Sequence, residues 1–279
     1  MRAVRLFTAP APGRAANEDA CVHAGNLLGV LDGVTQPPGL VSGCRHGAAW
    51  YSARLAARLA DVHRSSPQGA LTDLLAQAVA AVRGDHGGHC DLGRPTTPAA
   101  AVCLLRTSPG RADFLLLCDT TLVVESPDGV RATTDHRLAD TVSRLRAQEN
   151  SGGTANLTRE SAEERAVRYA LMKSAYTNRP EGYWIAAADP AAAEHAHTGT
   201  LPLGGPDGLT RAALLTDGAA RAVDVFSLFG WPELLGLLAG EGPRALVDSV
   251  RKAEYAAARQ DGPGDEKAHD DATVGYVEF

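Results

Sequence analysis

Little in this sequence marks a redox, membrane or nucleic-acid protein. Its five cysteines (Cys21, Cys44, Cys90, Cys103, Cys118) are odd in number and show no C-x-x-C spacing, which argues against a disulfide framework. Three lie in apolar contexts and read as reduced core cysteines of a reducing compartment. No stretch approaches the ~20 apolar residues that span a bilayer. The amino terminus, Met-Arg-Ala-Val-Arg-Leu-Phe, lacks the apolar run of a signal peptide. Aromatics make up only 5% and the net charge is −6, so there is no basic patch to attract nucleic acid. H-E-x-x-H, a four-cysteine set and a Gly-rich phosphate loop are also missing. The expectation is a cytoplasmic protein with no membrane or nucleic-acid partner.

What is present is an ordinary core. At 279 residues and 44% hydrophobic, the chain is long enough to bury one large core or two small ones. It has no internal repeat, no low-complexity segment and no convincing linker, so residues 1–279 are read as a single domain. The chain is organised around Leu28-Gly-Val-Leu-Asp-Gly-Val-Thr35, an apolar run read as a buried strand that stops at an acid followed by glycine. The design recurs in Ala212-Ala-Leu-Leu-Thr-Asp217-Gly218, and Asp270-Asp271 opens the last apolar run. Gly25-Asn26 between two apolar runs is a hairpin signal. Such a hairpin brings Glu18-Asp19 close to Asp32.

Between these points the sequence predicts a helix from a Ser42 cap to about His63. A second helix carries the stripe Leu71, Leu74, Leu75, Ala78, Val79, Val82. The loop Gly84–Arg94 contains His86, His89, Cys90 and Asp91. A zinc cluster is one reading of it, and a glycine-rich loop with incidental histidines is the plainer one. Strands at 99–105, 114–118 and 122–125 read as an antiparallel meander, with Asp119 where the chain turns over. Residues 136–148 read as a polar helix broken by Asn150-Ser-Gly-Gly-Thr, and Ser161-Ala-Glu-Glu164 as a capping box opening a helix through about Tyr176. Tyr183–Ala188 reads as a strand, and helices follow near 232–239 and 243–259. Trp50, Trp184 and Trp231 read as packing residues, and His46 and His136 as surface histidines. Helices between strands point to helices packed on sheets.

Any single Asp-Gly is explained by turn capping. Several acids at strand ends, with a hairpin-coupled Glu-Asp, favour instead a site for hard divalent cations, which prefer oxygen ligands.

In order, these motifs resemble the metal-dependent Ser/Thr protein phosphatases of type 2C, the PPM family, in its compact bacterial form. Arg14-Ala-Ala-Asn-Glu18-Asp19 is similar to the family's Arg-x-x-x-Glu-Asp, and Asp32-Gly33 to its central Asp-Gly. Thr96-Thr97-Pro-Ala is similar to its Gly-Thr-Thr-Ala, and Cys118-Asp119-Thr120 to its Gly-Asp-Ser. Thr216-Asp217-Gly218 matches Ser-Asp-Gly, and Asp270-Asp271-Ala-Thr273-Val its closing Asp-Asn-x-Ser/Thr-Val.

The resemblance implies an α+β fold, a four-layer α/β/β/α sandwich with two central antiparallel sheets flanked by helices, and a flap-like segment near 150–160. It implies hydrolysis of phosphoserine and phosphothreonine on proteins by a water bridging two Mn2+ or Mg2+ ions. Asp32 would bridge the metals, with Glu18 and the Gly33 carbonyl on one side and Asp217 and Asp270 on the other. Asp19 would support them, Asp119 would bind a possible third ion, and Arg14 would hold the phosphate. A phosphorylated protein substrate and a partner Ser/Thr kinase follow from the same resemblance. The alternatives are a non-catalytic PPM-fold regulatory or binding module, or a phosphatase for a small phosphoester. The chain departs from the pattern at Val34, where many eukaryotic members carry His. It also departs at Pro95, at Cys118, at Asp271 and at Thr35-Gln-Pro-Pro38, which replaces glycines after Asp32-Gly33.

Overall fold

A computed structural model describes residues 1–151, 160–260 and 268–279 of the chain. The strands are β1 (Ala3–Ala9), β2 (Ala20–Ala24), β3 (Leu27–Gly33), β4 (Ala100–Ser108), β5 (Arg111–Leu117), β6 (Thr121–Ser126), β7 (Gly129–Thr134), β8 (His197–Pro202), β9 (Arg211–Leu215) and β10 (Ala272–Glu278). The helices are α1 (Ala48–Ser65), α2 (Leu71–Asp85), α3 (Arg137–Ser151), α4 (Ala162–Ser174), α5 (Asp217–Asp224), α6 (Trp231–Gly240) and α7 (Pro243–Gln260). One sheet has the order β1-β10-β9-β6-β7 and the other β2-β3-β4-β5-β8, and every pairing is antiparallel.

The two sheets pack face to face, and the sequence pattern says why. In β3, Leu28 and Val30 join Cys103, Leu105, Leu122, Leu214 and Val277 between the sheets. The alternate residues Leu27 and Leu31 face α1 and α2, against Leu55, Leu59, Leu75 and Val79. Strand β9 behaves likewise, with Ala212 and Leu214 inward and Ala213 and Leu215 against α5, α6 and α7. Strands covered on both faces become continuous apolar runs rather than alternating ones. The four-layer α/β/β/α sandwich is therefore present as expected.

The hairpin through Gly25-Asn26 and the helices near 232–239 and 243–259 match expectation. So does the capping box, in which Ser161 Oγ accepts from Glu164 N and the Glu164 carboxylate accepts from Ser161 N. Four expectations are corrected. The meander is split, because β4 pairs with β5 while β6 belongs to the other sheet, beside β9. The chain crosses between sheets at Cys118–Thr120, and Cys118 makes the turn with φ 68. Tyr183–Ala188 forms isolated bridges rather than a strand. Leu117 pairs with Val102, and β5 ends there, which leaves the edge at Ala100 to be filled by Ala186 alone.

Helix α1 begins at Ala48, because Ser42 spends its hydroxyl on both backbone groups of Cys44 instead of capping a helix. Helix α3 continues through Ser151, beyond the expected break at Asn150. Of the flap-like segment at 150–160, residues 152–159 lie outside the described residues.

Candidate active site

The acids gather at one end of the sandwich because inward-facing strand positions run out of apolar residues there. Asp32 follows Leu28 and Val30 on the inner face of β3. Ala20 stands opposite Leu31, so Asp19, the residue just before β2, lies near Asp32. In the opposite sheet, β9 ends at Leu215, Thr216 takes the position before α5, and Asp217 is the helix's first residue. The Asp217 amide donates to Asp32 Oδ2 at 3.3 Å, joining the two sheets. Asp270 and Asp271 enter β10 next to them, and Asp119 sits in the crossover between sheets.

Close backbone approach is part of the arrangement. A Cβ on Gly33 would lie 2.3 Å from the Glu18 carbonyl oxygen, and one on Gly218 would lie 1.9 Å from that of Asp271. Both positions therefore require glycine, and both hold a carboxylate-bearing neighbour against the next segment.

Electrostatics tie the acids together. Burial, and then the charges of Asp217, Asp19 and Asp119, push the Asp32 carboxyl well above its ordinary range. Asp19 is likewise pushed up by burial and by Asp217 and Asp271, against hydrogen bonds from Thr216 and Thr273. The Thr216 hydroxyl donates to Asp19 Oδ2 at 2.8 Å. Burial raises Asp119 too, against the pull of the Cys118 thiol, its own backbone amide and Lys173, while Asp270 adds to the rise. Carboxylates that desolvation and mutual repulsion all push toward protonation are relieved by a divalent cation. The donor set, all oxygen, fits magnesium or manganese.

Glu18 lies at the rim. Its Oε2 accepts from Arg14 Nη1 at 2.7 Å and from Thr35 Oγ1 at 2.5 Å, and Arg14 Nη1 also reaches Thr35 Oγ1 at 3.1 Å. Arg14 itself is exposed. Asp271, where the motif has Asn, does not act as a loose extra charge. Its two carboxylate oxygens accept from the amides of Ala11 and Glu18, each at 2.6 Å, and so fasten the Arg14–Glu18 segment to β10.

No family model matches the sequence, and no curated protein matches it closely enough to count. Solved structures do match. The Mycobacterium tuberculosis serine/threonine phosphatase PstP/Ppp superposes with a TM-score of 0.61 at 15% identity, over 99% of this chain and 98% of that one. The catalytic domain of the serine threonine protein phosphatase PstP in complex with two manganese ions gives 0.54 at 17%, over 99% and 97%. The Staphylococcus aureus serine/threonine phosphatase Stp1 gives 0.56 at 14%, over 99% and 94%. The chain has the PPM phosphatase fold.

Within that fold, Asp19, Asp119 and Asp217 surround Asp32, and Asp270 joins the cluster through Asp119, with Gly33 packed on the backbone of Glu18. The side chains of Glu18 and Arg14 are joined to Thr35 rather than to these acids. Sequence reasoning gave no role to Thr35, Thr216 or Lys173. The signal available for Thr216 was its place where the motif has Ser. The positive φ of Cys118 likewise explains the glycine of Gly-Asp-Ser, since left-handed backbone favours that residue.

Proposed function

We propose that this chain is a metal-dependent phosphatase for phosphoserine and phosphothreonine on proteins, with residues 1–279 as one catalytic domain. The observation that carries the reading is the convergence of Asp32 from one sheet with Asp217 and Asp270 from the other, in a fold shared with phosphatases that include a two-manganese complex.

In this reading Asp32, Glu18, the Gly33 carbonyl, Asp217 and Asp270 would hold two Mn2+ or Mg2+ ions. Asp19 supports the set through Thr216, and Asp119 serves a possible third ion. When bound, such a cation pair supplies water of lowered pKa as the nucleophile and offsets charge on the phosphoryl group. Arg14 exchanges Glu18 for the phosphate, a cheap exchange because exposed ion pairs contribute only about 0–1 kcal/mol. Its planar fork then fixes the phosphoryl oxygens in line for attack. No side-chain nucleophile is required. A Ser/Thr kinase is the partner that would supply the substrate.

A panel of phosphothreonine peptide, phosphotyrosine peptide and p-nitrophenyl phosphate, each with EDTA, magnesium or manganese, tests the reading. The expected result is metal-dependent turnover that favours the phosphothreonine peptide. Turnover confined to the small ester would move the assignment to a small-molecule phosphatase. Manganese binding without turnover would point to a phosphatase of very narrow substrate range, and neither binding nor turnover would move the assignment to a regulatory module.

A further inference from the structure

A second constellation, sharing no residue with the acids, lies where two irregular loops meet. Cys44 and His46 come from the loop between β3 and α1. His86 and Cys90 come from the loop after α2. Cys44 Sγ is 3.3 Å from Cys90 Sγ, and 3.5 Å from Nδ1 of both His46 and His86. The two Nδ1 atoms are 3.2 Å apart, and Cys90 Sγ is 3.7 Å from His46 Nδ1. All four ligand atoms lie within 4.8 Å of one another, and among the described residues this is the one His, Cys, Asp or Glu group that draws so close.

These distances are the edges of a tetrahedron. Zinc bonds of about 2.3 Å to sulfur and about 2.0–2.1 Å to nitrogen imply edges of about 3.8 Å between sulfurs, about 3.6 Å from sulfur to nitrogen and about 3.3 Å between nitrogens. Five of the six edges agree within about 0.5 Å, and the sixth is bounded by the 4.8 Å limit. A disulfide would instead require the sulfurs to meet at about 2.05 Å, and both cysteines are free thiols.

The surroundings are built to hold the ligands. Trp50 stacks on His46 with ring centroids 3.9 Å apart, and stands edge-on to His86 at 4.8 Å, fixing both rings. The His46 amide donates to Cys44 Sγ at 3.3 Å. The Asp91 amide donates to the Gly43 carbonyl at 2.9 Å, pinning one loop to the other. Gly43 has φ +76, and a Cβ there would also meet the Asp91 carbonyl oxygen at 3.0 Å. His89 and Asp91, included in the sequence-level cluster, are not part of it. Asp91 pairs with Arg94, and His89 is exposed.

We propose that Cys44, His46, His86 and Cys90 form a closed, structural zinc site. Two thiolates and two imidazoles fill all four positions, so no place is left for water or substrate, and the role is to fasten loops. The fastened loops flank the acids. One follows Asp32-Gly33 and carries Thr35. The other carries Thr96, whose carbonyl accepts from Gln36 Nε2 at 2.7 Å and whose hydroxyl donates to the Val41 carbonyl at 3.3 Å. The site thus holds Thr35-Gln-Pro-Pro38, the stretch that departs most from the PPM pattern. This inference does not depend on the phosphatase reading.

The test is metal content and cobalt spectroscopy on the full chain, purified under reducing conditions from zinc-supplemented cells and dialysed against EDTA. The expected result is one zinc per chain. Replacement by cobalt should give intense tetrahedral d–d bands and a near-ultraviolet thiolate-to-cobalt charge-transfer band, which carboxylates cannot produce. Cys44→Ser with Cys90→Ser should lose the zinc and the band and melt at lower temperature, whereas Asp32→Asn should keep both. Folded wild type that holds no stoichiometric zinc and shows no charge-transfer band would overturn the site. Zinc retained in full by the double cysteine variant would overturn it as well.

Discussion

At the scale of single residues, the acids at the end of the sandwich are costly without a cation. The raised Asp32 carboxyl gives a signed expectation. Above the unfolded carboxyl pKa of about 3.9 the folded state bears a penalty the unfolded chain does not, full once pH exceeds the folded pKa and absent below the unfolded one. Asp32→Asn should therefore raise the melting temperature of chelator-treated protein at neutral pH. That gain should shrink as pH falls through the acid range, while metal-dependent activity is lost at every pH. A melting series of both proteins in EDTA across pH checks this. Equal melting temperatures throughout would mean that the acids are not under strain.

Asp271 makes the opposite kind of contribution. Its carboxylate satisfies two backbone amides, so Asp271→Ala leaves them unpaired at a cost of about 1–3 kcal/mol each. Asp271→Asn, with one acceptor oxygen, should cost less. Urea unfolding midpoints of the three proteins rank them.

At the scale of elements, much was legible because local chemistry repeats. The β2–β3 hairpin was readable from Gly25-Asn26 between apolar runs, α2 from its apolar stripe, and α4 from its capping box. Ser161→Ala should cost about 0.5–2 kcal/mol, felt as faster amide exchange confined to α4. That helix brings Lys173 toward Asp119, so turnover should fall with it.

What was not legible depended on partners distant in sequence. Nothing in Phe114–Glu125 announces that the chain changes sheets at Cys118, because both strands are apolar and the decision lies in which neighbours cover them. Tyr183–Ala188 has the composition of a strand, but only one open edge position, at Ala100, awaits it. Cys44 and His46 look incidental until the fold sets them against His86 and Cys90, some forty residues away.

At the scale of the whole molecule, two sheets supply the two halves of the candidate site, so the proposed function links folding to cation binding. Among the described residues no helix is long and apolar enough to cross a membrane. Manganese at about 100 times its dissociation constant should stabilise the wild type by about 2.7 kcal/mol. The same addition should leave Asp32→Asn and Asp217→Asn close to their metal-free melting temperatures. Stabilisation of all three alike would place the cation elsewhere.

The most direct test of the central claim is phosphate release from a phosphothreonine peptide with manganese, comparing wild type, Asp32→Asn and Asp217→Asn. The account expects turnover by the wild type that EDTA abolishes, and a loss of at least about 100-fold in each variant, since each removes a group acting on the transition state. Wild-type turnover that persists in either variant would contradict it.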